Sequence, residues 1–266
     1  MMAVAADPVV EARRILTAAM DAKVPLCVLG GIGVALVCPT IRRLTPPRVY
    51  HDIDLAAPGG TLAISRLLTE LGYDAARRFN ALNGSERMLF HDPKGRRIDV
   101  FIGTLRMCHQ LSLDETFATP SWTLPPADLV LSKLQIVELT ERDAQDLLAL
   151  FADFELTPSG SAGISVQRLE QVCGRDWGWW QTVGETLRVL DARWRAERER
   201  ADPEFGAILD LGLERVGQLR EVLATMPTSI GWRIRAMVGP RVRWYDLPED
   251  VRSSSPSESD RPRADP

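Results

Sequence analysis

The sequence predicts an α+β fold in which a small mixed β-sheet with flanking helices is followed by an all-helical region. Up to residue 122, short runs of β-branched and apolar residues alternate with amphipathic stretches, as strands and helices do. From Pro125 onward the apolar residues recur only at helical spacing, so no strand is expected there. We therefore predict a domain over 1–122, a helical domain over 123–248 and a disordered tail over 249–266, which is rich in serine, proline and charge.

The first 60 residues contain helix, strand and turn signals in alternation. Helical spacing over 8–22 predicts a helix, and "PLCVLGG" predicts a strand that enters a tight turn at two glycines. "IGVALVC" follows as a short helix, and three prolines mark the next segment as a loop. "VYHDIDLAAPGG" then predicts a strand and a turn.

The remaining elements follow from the same two periodicities. "TLAISRLLTELGY" predicts an amphipathic helix, and "DAARRFN", "ERMLFHD" and "RRIDVFIG" predict three short strands. The tripeptide "PKG" between the last two strands favours a hairpin. Residues 104–122 give no clear pattern. Six helices are predicted after Pro125, over 126–139, 141–155, 165–173, 177–200, 204–225 and 228–238.

Composition and charge exclude several classes of protein. The net charge is −4, so the chain lacks an overall signature of nucleic-acid binding. No apolar run approaches the ~20 residues that a membrane span needs, and the N-terminus lacks the pattern of a signal peptide. The four cysteines are far apart and lack the spacing of a zinc site. We expect a cytoplasmic protein with free thiols and no membrane partner.

One local charge pattern departs from this balance. The segment from Ile230 to Trp244 contains four arginines and no acidic residue: Arg233, Arg235, Arg241 and Arg243. Such a run is typical of a solvated basic face, and it would also suit a phosphate-bearing partner. Both interpretations stay open at the level of the sequence.

Three aspartates in predicted strands point to a metal site. Asp52 and Asp54 should share one face of their strand, because alternate side chains point the same way. Adjacent carboxylates repel each other, and a Mg²⁺ ion would remove that repulsion, since it binds carboxylate and phosphate oxygens. Asp99 in "RRIDVFIG" has apolar neighbours, where an unpaired carboxylate is costly. Together they predict a divalent-metal cluster for phosphoryl or nucleotidyl transfer, unless Asp52 and Asp54 merely face solvent or cap a turn.

A glycine pair precedes the first two aspartates in the sequence. Gly30 and Gly31 end the predicted strand "CVLGG" and open a helix. Glycine allows close approach of the backbone to a ligand, and a helix N-terminus attracts phosphate through its free N–H groups. A plain strand-to-helix turn would give the same pattern, so the interpretation as a phosphate site depends on the aspartates that follow.

These motifs, in this order, resemble those of the DNA polymerase β-type nucleotidyltransferase superfamily. The resemblance rests on the glycine pair, on Arg48 four residues before Asp52 in "RVYHDIDL", and on "IDVF" around Asp99. Within the superfamily, the chain is most similar to bacterial proteins whose motif reads approximately GG-x-A…R-x-T-x-DIDL. That group includes nucleotidyltransferase toxins of type IV abortive-infection systems.

The resemblance implies roles for the matching residues. An NTP would be held at Gly30 and Gly31 and near Arg48. Mg²⁺ would lie on Asp52 and Asp54, and Asp99 would help to activate the acceptor hydroxyl. Three departures bear on substrate geometry: twenty residues separate Gly31 from Asp52, Tyr50 replaces a small hydroxyl residue, and position 31 is glycine where many members have serine.

A lysine in the helical region is placed among apolar residues. Lys133 lies opposite the polar face of its helix, so its ammonium is buried and needs an anion, unless the side chain reaches solvent at its tip. The toxin-like relatives also carry a lysine before an "RD-x-x-D" helix, which here supplies Asp143 and Asp146. Asp143 has a competing explanation as the N3 residue of a capping box begun by Thr140. We therefore assign Lys133 and Asp146 to the nucleotide site.

Taken together, the sequence predicts a magnesium-dependent nucleotidyltransferase that moves a nucleoside monophosphate from an NTP to an acceptor hydroxyl. The toxin-like resemblance favours an RNA acceptor such as tRNA and suggests an antitoxin-like partner. Small-molecule or protein acceptors stay open. Two other classes also stay open: a catalytically idle nucleotide-binding regulator, and a helical scaffold whose aspartates are incidental.

Overall fold

The computed structural model describes residues 4–118 and 121–247, and these form the predicted α+β fold. The predicted tail over 249–266 lies outside the described residues. None of the helices within the described ranges is long and apolar enough to cross a membrane. The helices are α1 Pro8–Asp21, α2 Gly30–Val37, α3 Thr61–Glu70, α4 Arg77–Asn83, α5 Pro126–Leu134, α6 Glu141–Asp153, α7 Val166–Cys173, α8 Trp177–Arg198, α9 Pro203–Thr225 and α10 Ile230–Val238.

A five-stranded mixed sheet forms the centre of the N-terminal half. Its spatial order is β1-β2-β5-β4-β3, and β2 runs parallel to β5 while the other neighbours are antiparallel. Two small pairs lie outside it: the antiparallel β6 and β7, and the parallel β8 and β9. The strands are β1 Cys27–Val28, β2 Ile53–Ala57, β3 Asp74–Ala75, β4 Arg87–His91, β5 Arg97–Ile102, β6 Thr104–Arg106, β7 Gln110–Ser112, β8 Leu156–Thr157 and β9 Ile164–Ser165.

One face of the central strands is a hydrophobic core. Ile53 and Leu55 of β2 and Ile98 and Val100 of β5 are all fully buried, and they belong to one apolar cluster with residues of α1 and α3. Burial of such side chains stabilises the fold by about 2 kcal/mol each. Since side chains alternate along a strand, the residues between them project from the opposite face. That second face carries the aspartates.

A second apolar cluster joins the two halves of the chain. It contains Leu147 and Leu150 of α6 together with Leu29 and Val34 near α2. The helical region therefore packs directly against the helix that follows the glycine pair. The domain boundary near residue 122 stays a prediction.

The proline-bearing segment between α2 and β2 is fixed to α6. Pro39–Arg43 forms a 3₁₀ helix. The backbone N–H and the hydroxyl of Thr40 donate to the carboxylate of Asp153, at 3.0 and 2.6 Å. The side-chain amide of Gln145 donates to the carbonyl of Pro46 at 3.1 Å. The loop that lengthens the spacing before Asp52 is thus held at two points by the helical region.

Two of the sequence-based assignments predict the wrong type of secondary structure. "DAARRFN" is not a strand beyond Asp74–Ala75, because Arg77–Asn83 is helical. The segment lacks apolar alternation, and the side chain of Asn80 bonds both the N–H and the carbonyl of Leu89 on β4. The expectation of helices alone after Pro125 is also wrong, because β8 and β9 form a short parallel pair there.

Other predicted elements are confirmed with altered bounds, and one segment without a prediction has regular structure. The helix predicted over 126–139 ends at Leu134, where the chain turns towards the next helix. Residues 104–122, which show no clear periodicity, contain the β6–β7 hairpin. The four cysteines are buried and form no disulfide, as expected.

Candidate functional site

The glycine pair opens α2 against the second face of the sheet. Gly30 has a left-handed φ of +63°, which non-glycine residues rarely adopt. A Cβ atom at Gly30 would lie 2.5 Å from Oδ2 of Asp54, closer than any real contact. The turn therefore requires glycine for both its conformation and its contact with Asp54. The first N–H groups of α2 lack intrahelical acceptors, as at every helix start, and lie next to this carboxylate.

The second glycine lies against Arg48. A Cβ atom at Gly31 would be 2.7 Å from Nη2 of Arg48 and 3.3 Å from the ring of Tyr50. The Arg48 guanidinium also stacks on that ring, with its Cζ 5.1 Å from the centroid. The ring of Tyr50 thus supports the guanidinium of Arg48. Glycine at position 31 leaves the space that the guanidinium fills.

Asp54 and Asp99 stand side by side on adjacent strands. The parallel register pairs Asp54 of β2 with Asp99 of β5, and adjacent strands lie about 4.8 Å apart. Both side chains therefore project from the same face. Asp52 precedes β2, and its side chain is 44% exposed. The structure thus brings the second and third predicted aspartates together and leaves the first at the solvent edge.

The electrostatics of Asp54 reflect this crowding. Burial raises the pKa of Asp54 to about 6, and the negative charges of Asp99 and Asp52 act in the same direction. The ammonium of Lys133 and the guanidinium of Arg97 oppose the shift. The carboxylate is therefore held in a position where an additional cation would be favourable.

Asp99 is almost fully buried, and two arginines contact its carboxylate. Arg87 donates from Nε to Oδ1 at 2.8 Å. Arg97 places its Nε 2.8 Å from Oδ2, but the N–H does not point at the oxygen, so both atoms are buried without a hydrogen bond. Arg97 also reaches Oδ2 of Asp52 at 3.4 Å. Sequence reasoning missed both arginines, although the position of Arg97, two residues before Asp99, was a signal that it shares the face.

The residues present fit a divalent cation through two of the three predicted ligands. Asp54 and Asp99 offer neighbouring carboxylates, and Oδ2 of Asp99 has an unused acceptor position. Within 4–118 and 121–247, however, no group of three or more potential ligand side chains is already assembled around a metal position. Asp52 is directed to Arg97 instead. The assignment of all three aspartates as metal ligands stays a prediction.

A buried ion-pair network connects the glycine turn to the helical region. Asp146 on α6 is fully buried and accepts from Nε and Nη2 of Arg48, at 2.9 and 3.0 Å. The same carboxylate lies 2.8 Å from Nζ of Lys133 on α5. Lys133 also donates to Asp143 at 2.9 Å. Two cations and two carboxylates therefore neutralise one another beneath the glycine turn.

The Lys133 side chain is buried and its ammonium is paired with carboxylates. The alternative in which the tip of this side chain reaches solvent is therefore wrong. Burial alone would lower the pKa of Lys133, but the carboxylates of Asp146 and Asp143 raise it above its usual range. Lys133 thus stays charged. Its nucleotide contact stays a prediction, as does that of Asp146, which is covered by the two cations that it pairs.

Asp143 satisfies both interpretations of the sequence. Its side chain accepts from the backbone N–H of Thr140 while the Thr140 hydroxyl accepts from the N–H of Asp143, which is a complete capping box. The same side chain binds Lys133. The cap therefore fixes a carboxylate that also holds the buried lysine.

The arginine run near the C-terminus is largely engaged within the chain. Arg235 stacks on Trp177 and donates to two backbone carbonyls. Arg233 donates to Thr228, and Arg243 stacks on Tyr245. These contacts favour the interpretation as a solvated, self-supported basic face over a preformed phosphate site.

Comparisons with known proteins are sparse. No protein-family model matches the chain, and no curated protein is significantly similar to it. Among solved structures, it is similar to the antibiotic-resistance factor ANT(2'')-Ia, with 13% identity, a TM-score of 0.35, and coverage of 72% of this chain and 95% of that chain. A likeness this distant establishes neither a family nor an activity.

Proposed function

We propose that the protein is a magnesium-dependent nucleotidyltransferase, which transfers a nucleoside monophosphate from an NTP to an acceptor hydroxyl. One observation carries the proposal. Asp54 and Asp99 lie in register on adjacent parallel strands, directly against the glycine turn at the start of α2. Carboxylates beside a phosphate-binding helix start are what the transfer of a nucleotide requires.

The nucleotide end of the site is built from backbone and cations. The N–H groups at the start of α2 are suited to a phosphate oxygen. Arg48 borders Gly31, so its guanidinium lies at the turn where a phosphate chain would bind. Lys133 pairs with the same carboxylate as Arg48, and we assign it to the nucleotide side of the site as part of the proposal. Asp146 pairs with both cations and orients them, and its own contact with the nucleotide remains part of the proposal.

The carboxylates would hold the metal. Asp54 and Asp99 are already adjacent, and Asp52 would be the third ligand. When bound, Mg²⁺ neutralises charge on the phosphates and on the reacting oxygens. In the proposed step, the acceptor oxygen forms a bond to the α-phosphorus, and the bond from that phosphorus to the departing pyrophosphate breaks. Asp99 takes the proton of the acceptor hydroxyl.

The acceptor is the finer part of the proposal. The toxin-like resemblance favours RNA such as tRNA, with an antitoxin-like partner that restrains the enzyme in the cytoplasm. The engagement of Arg233, Arg235 and Arg243 within the chain removes one argument for a dedicated RNA surface at the C-terminal end. A small-molecule or protein hydroxyl fits the carboxylate site equally well.

Transfer of labelled nucleotide tests the proposal. The purified protein is incubated with each α-labelled NTP and Mg²⁺, with total RNA, a protein extract or a metabolite extract as the acceptor source. We expect label on one acceptor class, and at least about a 100-fold loss of rate in Asp54→Asn and Asp99→Asn, because each removes a charge that contacts the reacting groups.

The matched control is Asp74→Asn, which makes the same chemical change at an exposed position of β3 in the same sheet. It should keep full activity. Circular dichroism would show that all three variants fold. Failure of every NTP and acceptor class to carry label would contradict the proposal.

One observation favours a second candidate, a nucleotide-binding regulator without catalysis. Both oxygens of Asp99 already have an arginine neighbour, which could replace a metal permanently. This candidate predicts NTP binding that does not depend on Mg²⁺, measured by isothermal calorimetry with and without chelator, and no transfer to any acceptor.

A further inference from the structure

Arg97 lies among the carboxylates that the proposed metal site would use. It precedes Asp99 by two residues on β5, so the two side chains share a face. Its Nε is 2.8 Å from Asp99 and its Nη2 is 3.4 Å from Asp52. The guanidinium therefore bridges the first and third aspartates and passes beside the second.

A guanidinium and a divalent cation compete for the same oxygens. Arginine cannot lose its proton in proteins, so the competition ends only when the side chain rotates away. The Arg97 side chain is 34% exposed and borders Asp52 at the solvent edge, so rotation needs no rearrangement of the core. Its N–H is misaligned with Asp99, and little hydrogen-bond energy holds it there.

Arg87 contrasts with Arg97 in this respect. Arg87 makes an aligned bond to Oδ1 of Asp99 and stacks over the rings of Phe79 and Phe101, at 6.0 and 5.2 Å. Several contacts would break together if it moved. Arg87 is therefore a fixed partner of Asp99, and Arg97 is the movable one.

We propose that Arg97 is the internal counter-ion of the carboxylate cluster and that it must leave Asp52 and Asp99 before all three aspartates can share a divalent cation. The inference rests on the proposed function and concerns the regulation of that same site. It accounts for the incomplete cluster around Asp54: the third ligand is present but is occupied by a side chain of the protein.

If Arg97 must be displaced, the affinity of the site for metal depends on whether nucleotide is bound. A released Arg97 at the mouth of the site would find a new anionic partner in the phosphates of an NTP. Nucleotide would then promote metal binding, and metal would promote nucleotide binding by the same factor. Removal of Arg97 should strengthen metal binding without nucleotide and weaken this coupling.

Binding of Mn²⁺, used as a probe in place of Mg²⁺, tests the inference without any reaction. Free Mn²⁺ is counted by electron paramagnetic resonance during titration of the 266-residue chain, with and without a non-hydrolysable ATP analogue, and the Mn²⁺ that the analogue binds in a protein-free titration is subtracted. We expect Arg97→Gln to bind Mn²⁺ about tenfold more tightly than the natural protein in the absence of nucleotide, because one competing charge about 3 Å away is removed. Arg97→Lys, which keeps the charge but loses the two-sided contact, should lie between them.

The control is Arg106→Gln, which removes a half-exposed arginine that pairs with Glu86 in the turn before β4. It should bind Mn²⁺ as the natural protein does. Equal Mn²⁺ affinity in Arg97→Gln and the natural protein would overturn the role of Arg97 and leave the metal site intact. Saturable Mn²⁺ binding that Asp54→Asn does not weaken, or no saturable binding even with nucleotide, would overturn the metal site and the proposed function together.

Discussion

Two clusters of charged side chains lie on either side of the glycine turn, and they are built on opposite principles. Asp146, Asp143, Arg48 and Lys133 form a buried group with two positive and two negative charges at 2.8–3.0 Å. The group around Asp54 has three carboxylates and two arginines, lies partly at the surface and includes a misaligned contact. The first group is balanced, and the second carries an excess of negative charge.

This difference in charge balance indicates two roles: the balanced cluster supports the local geometry, and the negatively charged cluster is suited to bind a cation. A neutral, buried cluster of ion pairs holds its members in one geometry, because displacement of any one leaves the others uncompensated. A cluster short of one positive charge is poised to accept a cation. Burial is the main cause of the raised pKa of Asp54 and the neighbouring carboxylates add to it, whereas Lys133 is held firmly in its charged form.

The largest effect is expected from breaking the balanced cluster. Asp146→Asn keeps the size of the side chain but leaves Arg48 and Lys133 with one carboxylate between them. We expect the free energy of unfolding to fall by about 3 kcal/mol, because a buried charge loses its partner. Urea denaturation followed by circular dichroism measures this.

Asp210→Asn is the matched control, since Asp210 pairs with Arg198 at the surface. Exposed ion pairs contribute little, so its cost should be far smaller than that of Asp146→Asn. Equal costs for the two substitutions would show that the buried cluster gives no special support.

In the cluster around Asp54, removal of a charge is expected to raise the free energy of unfolding rather than lower it. The pKa of Asp54 is raised to about 6 in the folded protein, above the value near 4 of an unfolded chain. Ionisation of Asp54 therefore costs folding free energy, and this cost is absent below about pH 4, grows as pH rises towards 6 and is complete above it. Asp54→Asn should stabilise the metal-free protein by up to about 2 kcal/mol at pH 7.5 and not at all at pH 4.

Thermal unfolding of both proteins across this pH range, in chelator, measures the difference. A variant that is no more stable than the natural protein at pH 7.5 would show that the negative charge on Asp54 is already compensated. The proposed cation deficit would then be wrong.

The smallest effect concerns the capping box that anchors Asp143. Thr140→Ala removes the hydroxyl that accepts the N–H of Asp143, and should cost about 1 kcal/mol. Ser165→Ala removes the equivalent cap of α7 and should cost about the same. Only Thr140→Ala should also weaken NTP binding in calorimetry, because Asp143 helps to hold Lys133. If Thr140→Ala and Ser165→Ala bind NTP with equal affinity, the role of Thr140 is limited to capping the helix.

Local patterns predicted much of this arrangement. Alternation along the strand correctly placed Asp54 opposite Ile53 and Leu55, and helical periodicity correctly buried Lys133 with an anionic partner. Capping chemistry correctly gave the start of α6 at Thr140. Each of these depends on residues within a few positions of one another.

The features that escaped prediction depend on distant pairing. The sequence predicted that Asp54 and Asp99 meet in one metal cluster, but the parallel register that pairs them joins residues 45 positions apart, and no local pattern encodes that register. The contacts of Arg97 and Arg87 with Asp99 follow from that register and from the β4–β5 hairpin. The α4 helix was missed because its support comes from the bonds of Asn80 to a strand that follows it.

The bond between Arg48 and Asp146 has a practical consequence for anyone who dissects the molecule. An isolated fragment that ends at residue 122 would retain the glycine pair and all three aspartates, yet Arg48 would lose the carboxylate that orients it. The loop that bears Arg48 would also lose its tethers to Gln145 and Asp153. Truncation or transplantation of the N-terminal half would therefore keep the acidic centre but leave Arg48 without the partner that orients it, so assays of the proposed transfer need the chain through α6.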